Sequence, residues 1–196
     1  MNISTLPPWQ ASDIGWLFGD AFHDEPLAQW LVPDPLRRRT AMAALFTLLT
    51  EQTIPGRCVD IGADRGRLVA AALWSDRSPD QTPPGATAAR VLAALGDDAA
   101  ARWDVADAAM SAAHPGDPHV HLMLIGVDPR RQRQGIASEL LSHRLAYATG
   151  AGQAAYLEAT TKEATHLYRR FGFEDLAPFT IPDGGPELYP MWRPAR

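Results

Sequence analysis

The stretch GVDPRRQRQGIASELL, residues 126–141, decides how this chain is read. It sets three arginines, Arg130, Arg131 and Arg133, immediately before what reads as the first turn of an amphipathic helix over residues 135–149. A helix N-terminus exposes unpaired backbone N–H groups and partial positive charge, so cations there are unfavourable unless an anion joins them. Gly135 lacks a Cβ and lets an oxygen approach its N–H, while Ala137 and Ser138 keep the next positions small. Preceded by an apolar strand over residues 119–127, the unit turns backbone N–H groups toward a phosphate. Neither G-x-x-x-x-G-K-[ST] nor G-x-G-x-x-G is present, so neither a nucleoside triphosphate nor a Rossmann dinucleotide is the expected owner of that phosphate.

Downstream of this loop, residues 154–158 read as a strand and residues 162–171 as a helix, opened by a capping box in Thr160 and Glu163 and stopped by Gly172. Residues 173–179 and 188–192 read as final strands around the turn IPDGGP. Upstream, Ser12 is expected to cap a helix with Ile14, Leu17, Phe18, Ala21 and Phe22 at helical spacing. Asp34-Pro35 starts a second, with Met42, Leu45, Phe46 and Leu49 on one face. Residues 57–61 and 68–74 read as an antiparallel hairpin around GADRG, followed by a Pro-rich loop over residues 75–85. The Ala-rich residues 86–113 predict one or two helices broken near Gly96-Asp97.

With 196 residues, 46% of them hydrophobic, the chain suits a single globular domain over residues 1–196. A net charge of −5 with locally clustered arginines argues against a nucleic-acid partner. The lone cysteine, Cys58, excludes an internal disulfide and a cysteine-rich zinc site and fits a reducing compartment. The start of the chain lacks a basic segment followed by an apolar run, and no stretch approaches the ~20 apolar residues of a membrane span. A soluble, cytoplasmic protein with no membrane partner is the expectation.

Val127, Pro129, Gln132, Gly135, Ile136 and Ala137 follow the pattern V-x-P-x-x-[QR]-x-x-G-[IL]-[AG] and resemble the acyl-CoA pyrophosphate loop of the GNAT N-acetyltransferase superfamily. A second block, AAYLEATTKEATHLYRRFGFE over residues 154–174, resembles the family's later strand and helix. The helical insert before the central strand and the ending GGPELYPMWR make the layout similar to puromycin-type N-acetyltransferases. The resemblance implies an α/β (α+β) fold with a mixed, mostly antiparallel central sheet flanked by helices and splayed central strands. It implies direct transfer of acetyl from acetyl-CoA to a primary amine of a small molecule, an antibiotic or other xenobiotic among the possibilities, with no metal. Residues 124–127 would carry the pantetheine arm, with contacts at Ile125 and Val127 and the Val127 N–H on the thioester carbonyl. Gln132, Arg133, Gln134, Gly135, Ile136, Ala137 and Ser138 would hold the pyrophosphate, and Tyr168 would protonate the leaving thiolate. Ala164 stands where many relatives carry an asparagine, which removes one cofactor contact.

An amine must be neutral to attack a thioester, so a base or a water relay is needed. His121, six residues before Val127, is the first candidate; His119 on the same strand face and Glu158 at the end of the neighbouring strand are the others. In AFHDEPLAQWLVPD, residues 21–34, the side chains of His23, Asp24, Glu25 and Trp30 suit a cationic amine. Two rival readings exist. One is a GNAT fold that binds acyl-CoA without catalysis, as a sensor or partner module, against which Tyr168 argues. The other is an S-adenosylmethionine methyltransferase, suggested by CVDIGADRGRL at residues 58–68, although residues 68–74 are too short for the crossover helix it needs. Cys58 is not an expected nucleophile, and the final apolar strand leaves a homodimer open.

Overall fold

The computed structural model describes residues 2–4, 10–54, 58–77 and 88–195. The expected strand start at residue 57, most of the Pro-rich loop and residues 86–87 of the Ala-rich stretch lie outside them. The chain runs β1 (Asn2–Ser4), α1 (Ala11–Ala21), α2 (Pro26–Leu31), α3 (Pro35–Thr53), β2 (Val59–Asp64), β3 (Arg67–Asp76), α4 (Ala88–Leu95), α5 (Asp97–Ala113) and β4 (His119–Val127). A short 3-10 turn, Pro129–Arg131, leads into α6 (Ile136–Gly150), β5 (Ala154–Ala159), α7 (Thr165–Arg169), β6 (Glu174–Asp175), β7 (Phe179–Thr180) and β8 (Glu187–Arg193).

The strands form a mixed sheet in the order β1-β2-β3-β4-β5-β8-β6, with β7 paired to β8. Every pairing is antiparallel except β4 with β5. That parallel pairing runs only from His119↔Ala154 to Leu122↔Leu157, whereas β4 stays on β3 as far as Val127↔Ala70. The break coincides with a bulge, since Leu73 faces Leu124 and Trp74 faces Leu122, leaving Met123 without a partner. A bulge bends its strand and re-aims its side chains. Here it turns β4 away from β5, and the sheet opens as a wedge from Met123 to Val127.

Helices cover both faces of the sheet. Ala71 and Leu73 pack with α1 to α5, while Ala70, Ala72 and Trp74 pack on the opposite side with Leu140 and Leu141 of α6. Gly126 is required where α1 crosses β4, because a Cβ there would lie 2.7 Å from the Phe18 ring. A buried bidentate pair ties α6 to β2, with Arg144 donating to both carboxylate oxygens of Asp60 at 2.8 Å.

Several sequence expectations change. The segment from residue 58 to 68 is the antiparallel β2–β3 hairpin rather than a strand followed by a helix, which overturns the methyltransferase reading. The helix at residues 162–171 contracts to Thr165–Arg169, and its capping box does not form. Thr160 instead donates to Glu25 Oε2 at 2.6 Å, and Thr161 accepts from the Ala164 N–H at 3.2 Å. Ser12 lies inside α1, whose N-cap is Gln10, with Asp13 accepting the Gln10 N–H at 2.9 Å. The strand at residues 173–179 divides into β6 and β7, both on β8. The short β1 and α2 were not anticipated.

Candidate active site

At the wide end of the wedge lies the arginine loop. Gly135, the N-cap of α6, has φ 83°, in the left-handed region that glycine tolerates. The first intrahelical bond there is Glu139 N–H to Gly135 O at 3.1 Å, so the N–H groups just before it have no intrahelical partner. The three arginines are not equivalent. Arg130 folds back on Asp128 at 2.7 Å, and Arg131 pairs with Asp64 on the β2–β3 hairpin at 2.9 Å while donating to Gln134. Arg133 is exposed and has no ion pair or side-chain hydrogen bond among the described residues. A further cation comes from Arg170, whose Nη2 donates to Ser138 Oγ at 3.5 Å. Gln132 braces the loop by donating to Val127 O at 3.4 Å. The side chains of Val127 and Ile136 are buried in the core beneath α6, so only their backbone groups are available to a ligand, while that of Ile125 is half-buried at its edge.

Where β4 and β5 part, four rings and a carboxylate converge. His121 Nε2 lies 2.9 Å from Glu158 Oε2. A carboxylate only accepts, so Nε2 carries the hydrogen and a neutral ring keeps its lone pair on Nδ1, a buried atom with no partner among the described residues. Burial lowers the His121 pKa and outweighs the nearby Glu158, which favours that neutral form. Burial alone would raise the Glu158 carboxyl, but the hydrogen bond from His121 holds it below the usual carboxylate range. His114, at the C-cap of α5, brings Nδ1 to 3.8 Å from Glu158 Oε1 and Nε2 to 3.0 Å from His119 Nε2. His119 is occupied on its other side by the Asp117 carbonyl at 2.6 Å, and burial pushes its pKa down to about 4. Tyr168, in α7, is buried edge-on to Phe173. Burial, reinforced by the charge of Glu25, raises its phenol pKa, so it remains a proton donor.

Of these groups His114, His121 and Glu158 border a cavity of about 530 Å³ between the sheet and the helices α1 to α3 and α5, whereas His119, Tyr156 and Tyr168 do not line it. Its walls are mainly apolar and aromatic, including Phe22, Phe46, Trp103, Met110, Met123 and Leu188; its charged groups are Glu25, Arg77, Asp107 and Glu158, with His114 and His121 beside them. Burial raises the Asp107 pKa, with Asp104 adding to the effect. Of the three base candidates, His121 and Glu158 line the cavity and His119 does not. Of the acceptor candidates, Glu25 lines it. His23 is held by Asp24 at 2.9 Å and the Pro35 carbonyl at 3.3 Å, and Trp30 donates to the Asp183 carbonyl at 3.3 Å; neither reaches the cavity. The Glu25 segment is fixed by buried Arg38, which donates to the carbonyls of Val32 and Pro33 at 2.7 Å and of His23 at 3.1 Å.

Sequence reasoning missed His114 and the contribution of α5. Both left a signal: Trp103, Asp107, Met110 and His114 recur at spacings of three and four, which places them on one helical face.

The chain matches the sequence profile of the acetyltransferase (GNAT) family over residues 23–173. A crystal structure from Corynebacterium glutamicum, described as histone acetyltransferase HPA2 and related acetyltransferase, is 31% identical, with TM-score 0.71, over 100% of this chain and 96% of its own. Arylalkylamine N-acetyltransferase 2 from Aedes aegypti has the same fold at 15% identity and TM-score 0.69, over 100% and 99% of the two chains. The polyamine N-acetyltransferase of Drosophila melanogaster shares it at 14% identity and TM-score 0.56, over 98% and 100%. Because the profile takes in both the acceptor segment and the arginine loop, the splayed sheet has a family to explain it: the protein is an acyltransferase and belongs to the GNAT family of acetyltransferases.

Proposed function

We propose that the protein transfers the acetyl group of acetyl-CoA directly to the primary amine of a small, largely apolar molecule, an aryl- or alkylamine or an amine-bearing xenobiotic of that character. The observation that carries this reading is the wedge itself. The β5-facing edge of β4 has no strand partner among the described residues from Met123 to Val127, and it runs from the arginine loop to the cavity that His121 and Glu158 line. Its backbone groups without a strand partner suit a pantetheine arm.

In this mechanism the N–H groups of Gly135 to Ser138, with Arg133 and Arg170, bind the pyrophosphate. The Val127 backbone N–H polarises the thioester carbonyl. The amine enters as a cation, drawn by Glu25, Asp107 and Glu158, and gives a proton to Nδ1 of His121, whose ring Glu158 orients through Nε2. The neutral nitrogen adds to the carbonyl carbon, and the C–S bond breaks as Tyr168 gives its hydroxyl hydrogen to the departing thiolate; the surplus proton on the new amide nitrogen returns through solvent to the Tyr168 phenolate, and His121 releases its proton to solvent. Cys58 has no part in this: burial raises its thiol pKa, and it does not line the cavity.

The apolar walls suit one cationic end and a greasy body better than a cation at both ends. Phenethylamine and hexylamine are therefore expected to give lower KM and higher kcat/KM than putrescine or agmatine when CoA thiol release is followed. The reverse preference would reject this choice of acceptor class.

A further inference from the structure

We propose that His114, His121 and Glu158 form a binding site for one divalent transition cation of the zinc type, in the wall of the acceptor cavity. Each offers a ligand atom, and the three atoms lie within 4.8 Å of one another. The hydrogen-bond pattern points to the same place. The Asp117 carbonyl takes the Nδ1 hydrogen of His119, so in the uncharged network His119 accepts at Nε2 from His114 Nε2. The remaining lone pair of His114, on Nδ1, then faces Glu158 Oε1 at 3.8 Å with no hydrogen between them. The Glu158 side chain is 8% exposed, and its Oε1 is buried without a hydrogen-bond partner.

Two acceptors that face one another in a buried site call for a cation. The 3.8 Å gap is too long for a hydrogen bond. Tetrahedral zinc, with bonds of about 2.0–2.2 Å, sets its ligands roughly 3.4 Å apart, so small side-chain adjustments close the site. Two imidazoles and one carboxylate suit a borderline metal over magnesium or calcium, which prefer all-oxygen shells. The relay from His114 through His119 to the Asp117 carbonyl is the outer-shell support that ligating histidines use to fix their tautomer. All three ligands line the cavity, which leaves a fourth coordination position open to water or to an amine.

Binding displaces the hydrogen of His121 Nε2, which moves to Nδ1, so the ring stays neutral and no net charge is lost from it. That move occupies the lone pair assigned above as the base. Zinc is therefore expected to inhibit acetyl transfer, and this consequence rests on the proposed role of His121, whereas the binding itself does not.

The test is calorimetric titration of the metal-free full-length protein with zinc chloride, beside magnesium chloride, repeated on His114→Gln and His114→Ala with circular dichroism to verify folding. The expected result is one zinc per chain, no magnesium binding, and affinity lowered roughly tenfold or more in both folded variants. Cobalt chloride is expected to give the visible absorption of tetrahedral cobalt in the wild type and to lose it in the variants. Zinc binding that is absent, or unchanged in a folded His114 variant, overturns the proposal. Stoichiometric binding at this site without inhibition of acetyl transfer upholds the cation site and rejects His121 as the base.

Discussion

Arg133 and Tyr168 show how differently two residues of one proposed site can be read. The proposed loop chemistry comes from residue types alone: a glycine at a helix start with cations ahead of it asks for phosphate. Which arginine is left to meet it does not, because Arg131 is neutralised by Asp64, a partner 67 positions away. Arg133→Ala is expected to weaken acetyl-CoA binding by about tenfold or more, the scale of a lost charged hydrogen bond, while Arg130→Ala leaves it nearly unchanged because Asp128 already holds that side chain. Calorimetry on both variants decides it, and equal losses would reject the assignment. Tyr168→Phe keeps the ring that packs on Phe173 and removes only the proton donor. It is expected to lower kcat by about 10²–10⁴-fold, with acetyl-CoA affinity and thermal midpoint little changed. A parallel fall in stability and turnover would make Tyr168 a packing residue. His114, at the end of α5, escaped notice because its setting comes from a carboxylate on β5, Glu158, far along the chain.

At the scale of elements, β4 and α6 were legible almost to the residue, since an unbroken apolar strand and a glycine-started amphipathic helix each have a strong local signature. The bulge at Met123 was not, because no local signal distinguishes it from its neighbours in HLMLIGV. The shortened α7 has a similar cause: Thr160, a good helix cap in sequence, is bound to Glu25. The contact between α1 and β4 gives a stability test. Gly126→Ala places a methyl 2.7 Å from the Phe18 ring and is expected to cost about 1–3 kcal/mol in denaturant unfolding. No measurable loss would mean that α1 adjusts freely across β4. On α5, Trp103→Ala is expected to raise KM for the amine several-fold with acetyl-CoA affinity unchanged, because Trp103 lines the cavity proposed for the acceptor. A change in acetyl-CoA affinity of the same size would contradict the division of labour between cavity and loop.

For the whole molecule, the mixed sheet with helices on both faces follows from the order of elements, which the sequence outlines well. The cavity does not, since it is bounded by elements far apart in the chain: α1 to α3, α5, β4, β5 and β8. In the proposed mechanism the order of the parts along the wedge, loop, open strand edge, basic ring, apolar cavity, joins the fold to acetyl transfer. No helix among the described residues is long and apolar enough to cross a membrane. The central claim is direct transfer from acetyl-CoA to a primary amine. It is tested by incubating the purified protein with acetyl-CoA and phenethylamine, following thiol release, and weighing both amine and protein by mass spectrometry. The account predicts thiol release that depends on the amine, an amine heavier by one acetyl group, and an unmodified protein. Thiol release without acetylated amine, or an acetylated protein that then passes its acetyl group on, would contradict it.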